Sequence, residues 1–132
     1  MLKRLADAEE EEWLAAQAFV GRWGQGRCTI DITDGETGDY HVYITWGDSA
    51  STQVVWDYDC VYDGETDRLY SYAPGVKRTE TWGESGEIVD IQVEYEDGDA
   101  YFSIDAQDML TWNDRKENAA EDMLFERGKL LD

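Results

Sequence analysis

The chain has 132 residues, the size of one ordinary domain, and its 42% hydrophobic content with six Trp and eight Tyr exceeds what a disordered acidic segment carries. A folded core needing no metal or disulfide is therefore expected. Thirty-one acidic against eleven basic residues leave a formal charge of −20, which repels phosphate backbones and anionic head groups and argues against nucleic acid or membrane surfaces as partners.

Residues 1–20 carry the helical signal and residues 21–128 the rest of a single domain. Asp7 followed by Glu10 has the spacing of a capping box, and Trp13, Ala16 and Val20 recur at helical spacing until Gly21 ends the run. Glu9 to Glu12 crowd the first turn, where carboxylates oppose the positive end of the helix dipole favourably. No stretch approaches the roughly 20 apolar residues of a membrane span, and Met1-Leu2-Lys3-Arg4 leads into acidic sequence. The chain as it stands is expected to be soluble, with a cell-envelope or secreted location following only if a signal segment has been removed.

After Gly21 the period changes to two. Tyr40, Val42, Ile44 and Trp46 alternate with His41, Tyr43 and Thr45, and Val54, Trp56, Tyr58, Cys60 and Tyr62 alternate with Asp57, Asp59 and Asp63. Val89, Ile91, Val93 and Tyr95 alternate with Asp90, Gln92, Glu94 and Glu96, which predicts a strand with one buried and one wet face. Asp34-Gly35, Asp63-Gly64 and Asp97-Gly98 supply tight-turn residues, and 83–86 does so more loosely. Runs near 27–33, 39–46, 53–62, 67–73, 76–82, 87–96, 100–105, 109–113 and 122–127 amount to about eight or nine short strands joined as a meander. The polar segment 113–122 reads as a loop or one helical turn before the closing strand.

A twisted antiparallel sheet of that size curls and closes, because closure removes the unpaired edges that template aggregation. The expected fold is all-β: an antiparallel, up-and-down, closed β-barrel of about eight strands with a short N-terminal helix. Trp23 needs a cover at one barrel end, and Arg127, which shares its parity with Met123 and Phe125, can stack a guanidinium on the indole. Gly24 and Gly26 would allow a bulge that places Cys28, Ile30 and Ile32 inside despite the different parity of Trp23.

The run Phe19-Val20-Gly21-Arg22-Trp23, with Arg127 near the other end, resembles the lipocalin and wider calycin pattern, in which a Gly-any-Trp motif begins the barrel and a late basic residue packs across that Trp. The resemblance implies a lipocalin-like barrel closed by Gly21, Trp23 and Arg127. The whole pattern also looks like poorly characterised lipocalin-like domains of bacterial cell-envelope proteins. Barrel inhibitors of bacterial metalloproteases are similar in size, but they insert an extended N-terminal arm where this chain reads as a helix.

Little in the sequence marks chemistry. His41 falls on the face opposite Val42 and Ile44 and is expected to point outward with no convergent partner. No serine lies in a nucleophile-elbow or Ser-any-any-Lys context. Asp57, Asp59 and Asp63-Gly64 fall short of a calcium loop, lacking a third alternate oxygen ligand and a closing glutamate. Cys28 and Cys60 share inward parity on different strands, so one disulfide or two buried thiols would both satisfy the pattern. No cofactor and no metal site is expected.

The interior aromatics are the candidate site. Trp46, Trp56, Tyr58, Tyr62, Trp82 and Tyr95 are expected to face inward, either filling the barrel or lining a narrow apolar pocket. The functional expectation is a non-enzymatic binding module holding a small apolar or aromatic ligand or recognising a protein partner. The alternative is an acidic inhibitor or charge mimic that engages a basic partner protein.

Overall fold

The computed structural model describes residues 11–35 and 38–128. The capping pair Asp7 and Glu10 lies outside the described residues. Residues 11–17 are helical and 18–19 turn. The helix buries Ala16 and, just past its end, Phe19, while Trp13 and Leu14 are exposed. The apolar side that docks is thus the one carrying Ala16 and Phe19, with Phe19 against the Tyr62 ring at 6.1 Å, rather than the one centred on Trp13.

Ten β segments follow: β1 (Gly21–Gln25), β2 (Cys28–Asp34), β3 (Tyr40–Gly47), β4 (Thr52–Asp63), β5 (Arg68–Ser71), β6 (Gly75–Trp82), β7 (Ile88–Gly98), β8 (Ala100–Ile104), β9 (Leu110–Asp114) and β10 (Glu126–Arg127). Eight of them run antiparallel in the order β10-β1-β2-β3-β4-β5-β8-β9, and a bridge between Leu110 and Phe125 brings the two ends together. The result is a nearly closed eight-strand barrel.

The remaining two segments extend strands already in the barrel. Along one edge of β4, Asp63 to Cys60 pair with β5 and Asp57 to Thr52 pair with β6, so β5 and β6 lie end to end, interrupted at 72–74. In the same way β7 pairs with β6 and β8 with β5, so β7 and β8 form a second long strand. The meander is therefore simple, but two of its strands are broken. Asp97-Gly98, which the sequence marks as a hairpin tip, instead sits at the break between β7 and β8.

That break is held from both sides. Tyr72 N donates to Asp59 O at 3.0 Å, Ala100 N to Ser71 Oγ at 3.1 Å and Arg115 N to Asp99 O at 2.8 Å. Gly75 lies against the Tyr58 ring so closely that a Cβ there would collide with it.

The core follows the period-two reading on β2 to β4. Cys28, Ile30, Ile32, Tyr40, Val42, Ile44, Trp56, Tyr58 and Cys60 are all buried, joined by Leu69, Phe102, Leu110, Trp112 and Phe125. No bulge at Gly24 or Gly26 is needed to bring Trp23 in. Residues 26–27 form a two-residue turn between β1 and β2, and Trp23 then pairs directly with Ile30. The strand expected near 27–33 is thus preceded by a separate strand that carries Trp23. Gly21 opens β1 at φ +133°, a backbone conformation that side chains rarely adopt. The loop before β10 is organised by Asp114, whose carboxylate accepts from Lys116 N at 2.9 Å, Glu117 N at 3.3 Å and Ala119 N at 3.1 Å.

Candidate interaction surface

The inward aromatics largely satisfy one another. Trp56 stands edge-on to Trp112 with centroids 4.8 Å apart and tilts against Trp46 at 6.1 Å, while Tyr58 meets Phe102 edge-on at 6.0 Å. At the barrel mouth Trp56 Nε1 donates to Tyr95 Oη at 3.2 Å and Tyr95 Oη donates to Glu117 at 2.7 Å. Lys77 pairs with Glu117 at 2.9 Å and holds its ammonium 5.2 Å from the Trp56 ring centroid. Burial raises Glu117 in pKa, but the hydrogen bonds from Lys77 and Tyr95 outweigh it and hold the carboxyl below its usual range. Burial, then the hydrogen bond to Glu117, push Tyr95 the other way.

The six aromatics singled out from the sequence therefore divide. Trp46, Trp56, Tyr58 and Tyr95 cluster at one end of the lumen, and Tyr62 packs at the other beside the helix. Trp82 has outward parity on β6, since Lys77, Thr79 and Thr81 are the residues paired with the inward positions of β4. Surface depressions of about 470, 340, 270 and 240 Å³ have linings that include neither Trp46, Trp56, Tyr58, Trp82 nor Tyr95. Among the described residues the Tyr58 hydroxyl and the Trp112 indole nitrogen are buried with no well-aligned hydrogen bond, though they face each other and Trp112 works against the rise that burial imposes on the Tyr58 pKa.

On the barrel exterior His41 has a partner the sequence does not reveal. Its Nε2 contacts Asp57 Oδ1, a diagonal neighbour across the β3–β4 ladder. Arg78 Nη1 approaches the other oxygen of Asp57 at 3.5 Å, and Arg78 Nε donates to Glu80 at 2.9 Å. Gln53 Nε2 donates to the second Glu80 oxygen at 2.9 Å. Glu80 is only 4% exposed, so a buried carboxylate with both oxygens occupied braces β6 to β4. Among the described residues no three His, Cys, Asp or Glu side chains converge to hold a metal ion.

The strand expected to bury Val89, Ile91, Val93 and Tyr95 on one face does not do so. Ile88, Val89, Ile91 and Val93 are 48%, 56%, 55% and 50% exposed. Two features cause this. The register of β7 against β6 shifts between Val93 and Tyr95, so Val93 stands opposite outward Arg78 while Tyr95 stands opposite inward Lys77. One extra residue there splits the apolar row between two faces. In addition, β9 pairs with β8 and never reaches β7, so among the described residues the outer half of this long strand has no neighbour on its far side.

Ile88, Ile91 and Val93 consequently share the outward face with Trp82, Glu80 and Arg78. The tip is closed by Gly83 N donating to Glu87 O at 2.8 Å and by Ser85 Oγ donating to Glu87 at 2.7 Å. No described helix is long and apolar enough to cross a membrane. Comparison with protein-family models, with curated proteins and with solved structures found no match.

Proposed function

We propose that this chain is a non-enzymatic, lipocalin-like binding module that recognises a protein partner through the outer part of the β6–β7 hairpin. The observation that carries the reading is the half-exposure of four large aliphatic side chains, Ile88, Val89, Ile91 and Val93, side by side on one strand. Contiguous apolar surface of this kind marks interaction sites on soluble proteins. The base of the hairpin is braced by Glu80 and Arg78, so the surface is presented on a fixed platform. The lipocalin likeness rests on Gly21 and Trp23 at the barrel opening and on the guanidinium of Arg127 lying 4.2 Å from the Trp23 ring centroid. The same likeness to envelope domains of bacteria makes an exported setting part of this reading.

The test compares the wild-type chain with the triple variant Ile88→Ser, Ile91→Ser, Val93→Ser as baits in extract of the native host. A partner retained by the first and lost by the second is the expected result. Equal recovery by both baits would remove the hairpin from the reading.

A second reading is favoured by one observation, the buried Tyr58 hydroxyl and Trp112 N–H, which face each other and find no well-aligned hydrogen-bond partner. A narrow aromatic ligand that inserts a polar atom between them, lined also by Trp46, Trp56 and Tyr95, would replace their mutual contact with a well-aligned bond to each. Native mass spectrometry and titration with a hydrophobic dye test it. Retention of a bound small molecule, or dye binding lost in Trp112→Phe, would support this reading, and a chain that stays ligand-free and dye-silent would end it.

A further inference from the structure

We propose that the free edge of β7 takes up an extended segment of another protein that alternates apolar and basic side chains, adding it to the sheet as one more strand. This rests on the reading of the hairpin as a recognition surface and supplies the chemistry of the partner.

The main chain comes first. β7 pairs with β6 alone, and β9, the strand that would continue the sheet, ends opposite β8. Half of the N–H and C=O groups along 90–93 therefore point away from the sheet, toward no strand among the described residues. Over that run the ladder is regular, Asp90, Gln92 and Val93 standing opposite Thr81, Thr79 and Arg78, and register shifts bracket it on both sides. A regular, unpaired edge is what strand addition requires. The shifts confine docking to a short strand.

The side chains then specify the occupant. Ile91 and Val93 stand on one face beside Trp82, and Asp90 and Gln92 stand on the other. Carboxylates around the barrel mouth are paired: Asp97 with Lys116 at 2.8 Å, Glu117 with Lys77, Asp99 with Arg115 at 3.5 Å. Along residues 90–96 of β7, short of Asp97, the pattern reverses. Glu94 accepts only the Thr79 hydroxyl at 2.9 Å, and among the described residues Asp90 and Glu96 take part in no ion pair. A partner strand placing apolar side chains over Ile91 and Val93 would set its alternate positions beside this uncompensated charge. Lysine or arginine fits there.

A second copy of the chain fits less well. Antiparallel self-pairing centred on Gln92 sets Asp90 opposite Glu94 of the second copy, and centring on Ile91 sets Ile88 opposite Glu94. The first opposes like charges directly and the second covers an aliphatic side chain with a carboxylate. Both bring together two bodies of charge −20.

The experiment uses the full chain, labelled with 15N, and a capped peptide Lys-Val-Lys-Val-Lys-Val as probe. Three comparisons accompany it: the same peptide with Glu for Lys, the same peptide N-methylated at two adjacent central residues to remove a donor from each edge, and the protein variant Asp90→Lys, Glu96→Lys. The expected result is that the basic peptide shifts the amides of 90–93, with affinity falling about tenfold or more in each comparison and falling again as salt is raised. No binding, equal binding by the N-methylated peptide, or shifts spread over other acidic surfaces would each overturn the proposal. Concentration-dependent dimerisation that shifts the same amides would overturn it in favour of the second copy. If the peptide fails while the triple serine variant still loses its partner, strand addition is wrong and the recognition surface stands. If that variant keeps its partner, the surface itself is wrong.

Discussion

Arg127 lies directly opposite Trp23 in the β1–β10 ladder, with its guanidinium carbon 4.2 Å from the indole ring centroid. Its Nη1 donates to the Ala18 carbonyl at 2.8 Å, and Nε and Nη2 fork onto Asp108 at 3.0 and 2.9 Å. Trp23 Nε1 in turn donates to the Phe19 carbonyl at 3.0 Å. One side chain thus ties the end of the helix, the first strand, the β8–β9 turn and the last strand together where the barrel closes.

Replacing Arg127 by Ala is expected to lower unfolding free energy by roughly 1 kcal/mol, through lost ring stacking and the lost bond to Ala18. Arg127→Lys should recover only part, since an ammonium cannot fork onto Asp108 while lying on the indole. The hydrogen bond from Arg127 holds the Asp108 carboxyl below its usual range. A depressed carboxyl stabilises the fold above its unfolded pKa and loses that effect as pH falls through the folded value. Urea unfolding at neutral and at acidic pH checks this: the gap between wild type and Arg127→Ala should narrow in acid.

Gly75 is tested by a single methyl group. A Cβ at this position would collide with the Tyr58 ring, which is fully buried and has little room to retreat. Gly75→Ala is expected to cost about 1–3 kcal/mol, as overpacking of cores does. Gly86→Ala, at the exposed hairpin tip with φ +85°, meets nothing within 4 Å and should cost less, through backbone strain alone. Chemical denaturation of the two variants side by side measures the difference.

The register settles the thiols. Cys28 pairs with Trp46 and Cys60 with Tyr40, at opposite ends of β3, which separates the two cysteines by roughly 20 Å at about 3.3 Å per residue. A disulfide needs Cα atoms within about 7 Å, so both are free thiols. Burial pushes each up to about 12. At pH 8 iodoacetamide should modify neither in the folded protein and both in urea, read by intact mass. Since the unfolded thiols ionise first, stability should decline as pH rises above the ordinary thiol range.

Glu80→Ala should unsettle the hairpin. It strips acceptors from Arg78 Nε and Gln53 Nε2 in a place water hardly reaches, for an expected loss of about 1–3 kcal/mol. Amide hydrogen exchange should accelerate along β6 and β7 and change little in β1 to β3. Uniform acceleration throughout the barrel would show that the brace has no local role.

Much of the barrel was legible in the chain because burial on one face of a strand imposes a period of two. Tyr40 to Trp46 and Val54 to Tyr62 announce their inward residues that way, and the stacking of Arg127 on Trp23 follows from the shared parity of closing residues with an uncovered indole. The same reasoning misplaced Val89, Ile91 and Val93. It assumes an unbroken alternation and a wall on each side, whereas a one-residue shift at Glu94 turns Tyr95 inward alone and the short β9 leaves the other three in solvent. It also left His41 without Asp57, because a diagonal pair across two strands depends on register, which no local pattern encodes.

The sequence by itself determined the class of fold, the positions of most strands and which side of most of them faces the core, since these follow from hydrophobic periodicity within each segment. Only the tertiary structure decided where strands end relative to their neighbours, how far apart the cysteines lie, and that the strongest apolar alternation in the chain stands outside the core. Those depend on lengths and registers of strands distant in sequence, and the surface proposed for recognition exists because one strand outruns the partner that would have covered it.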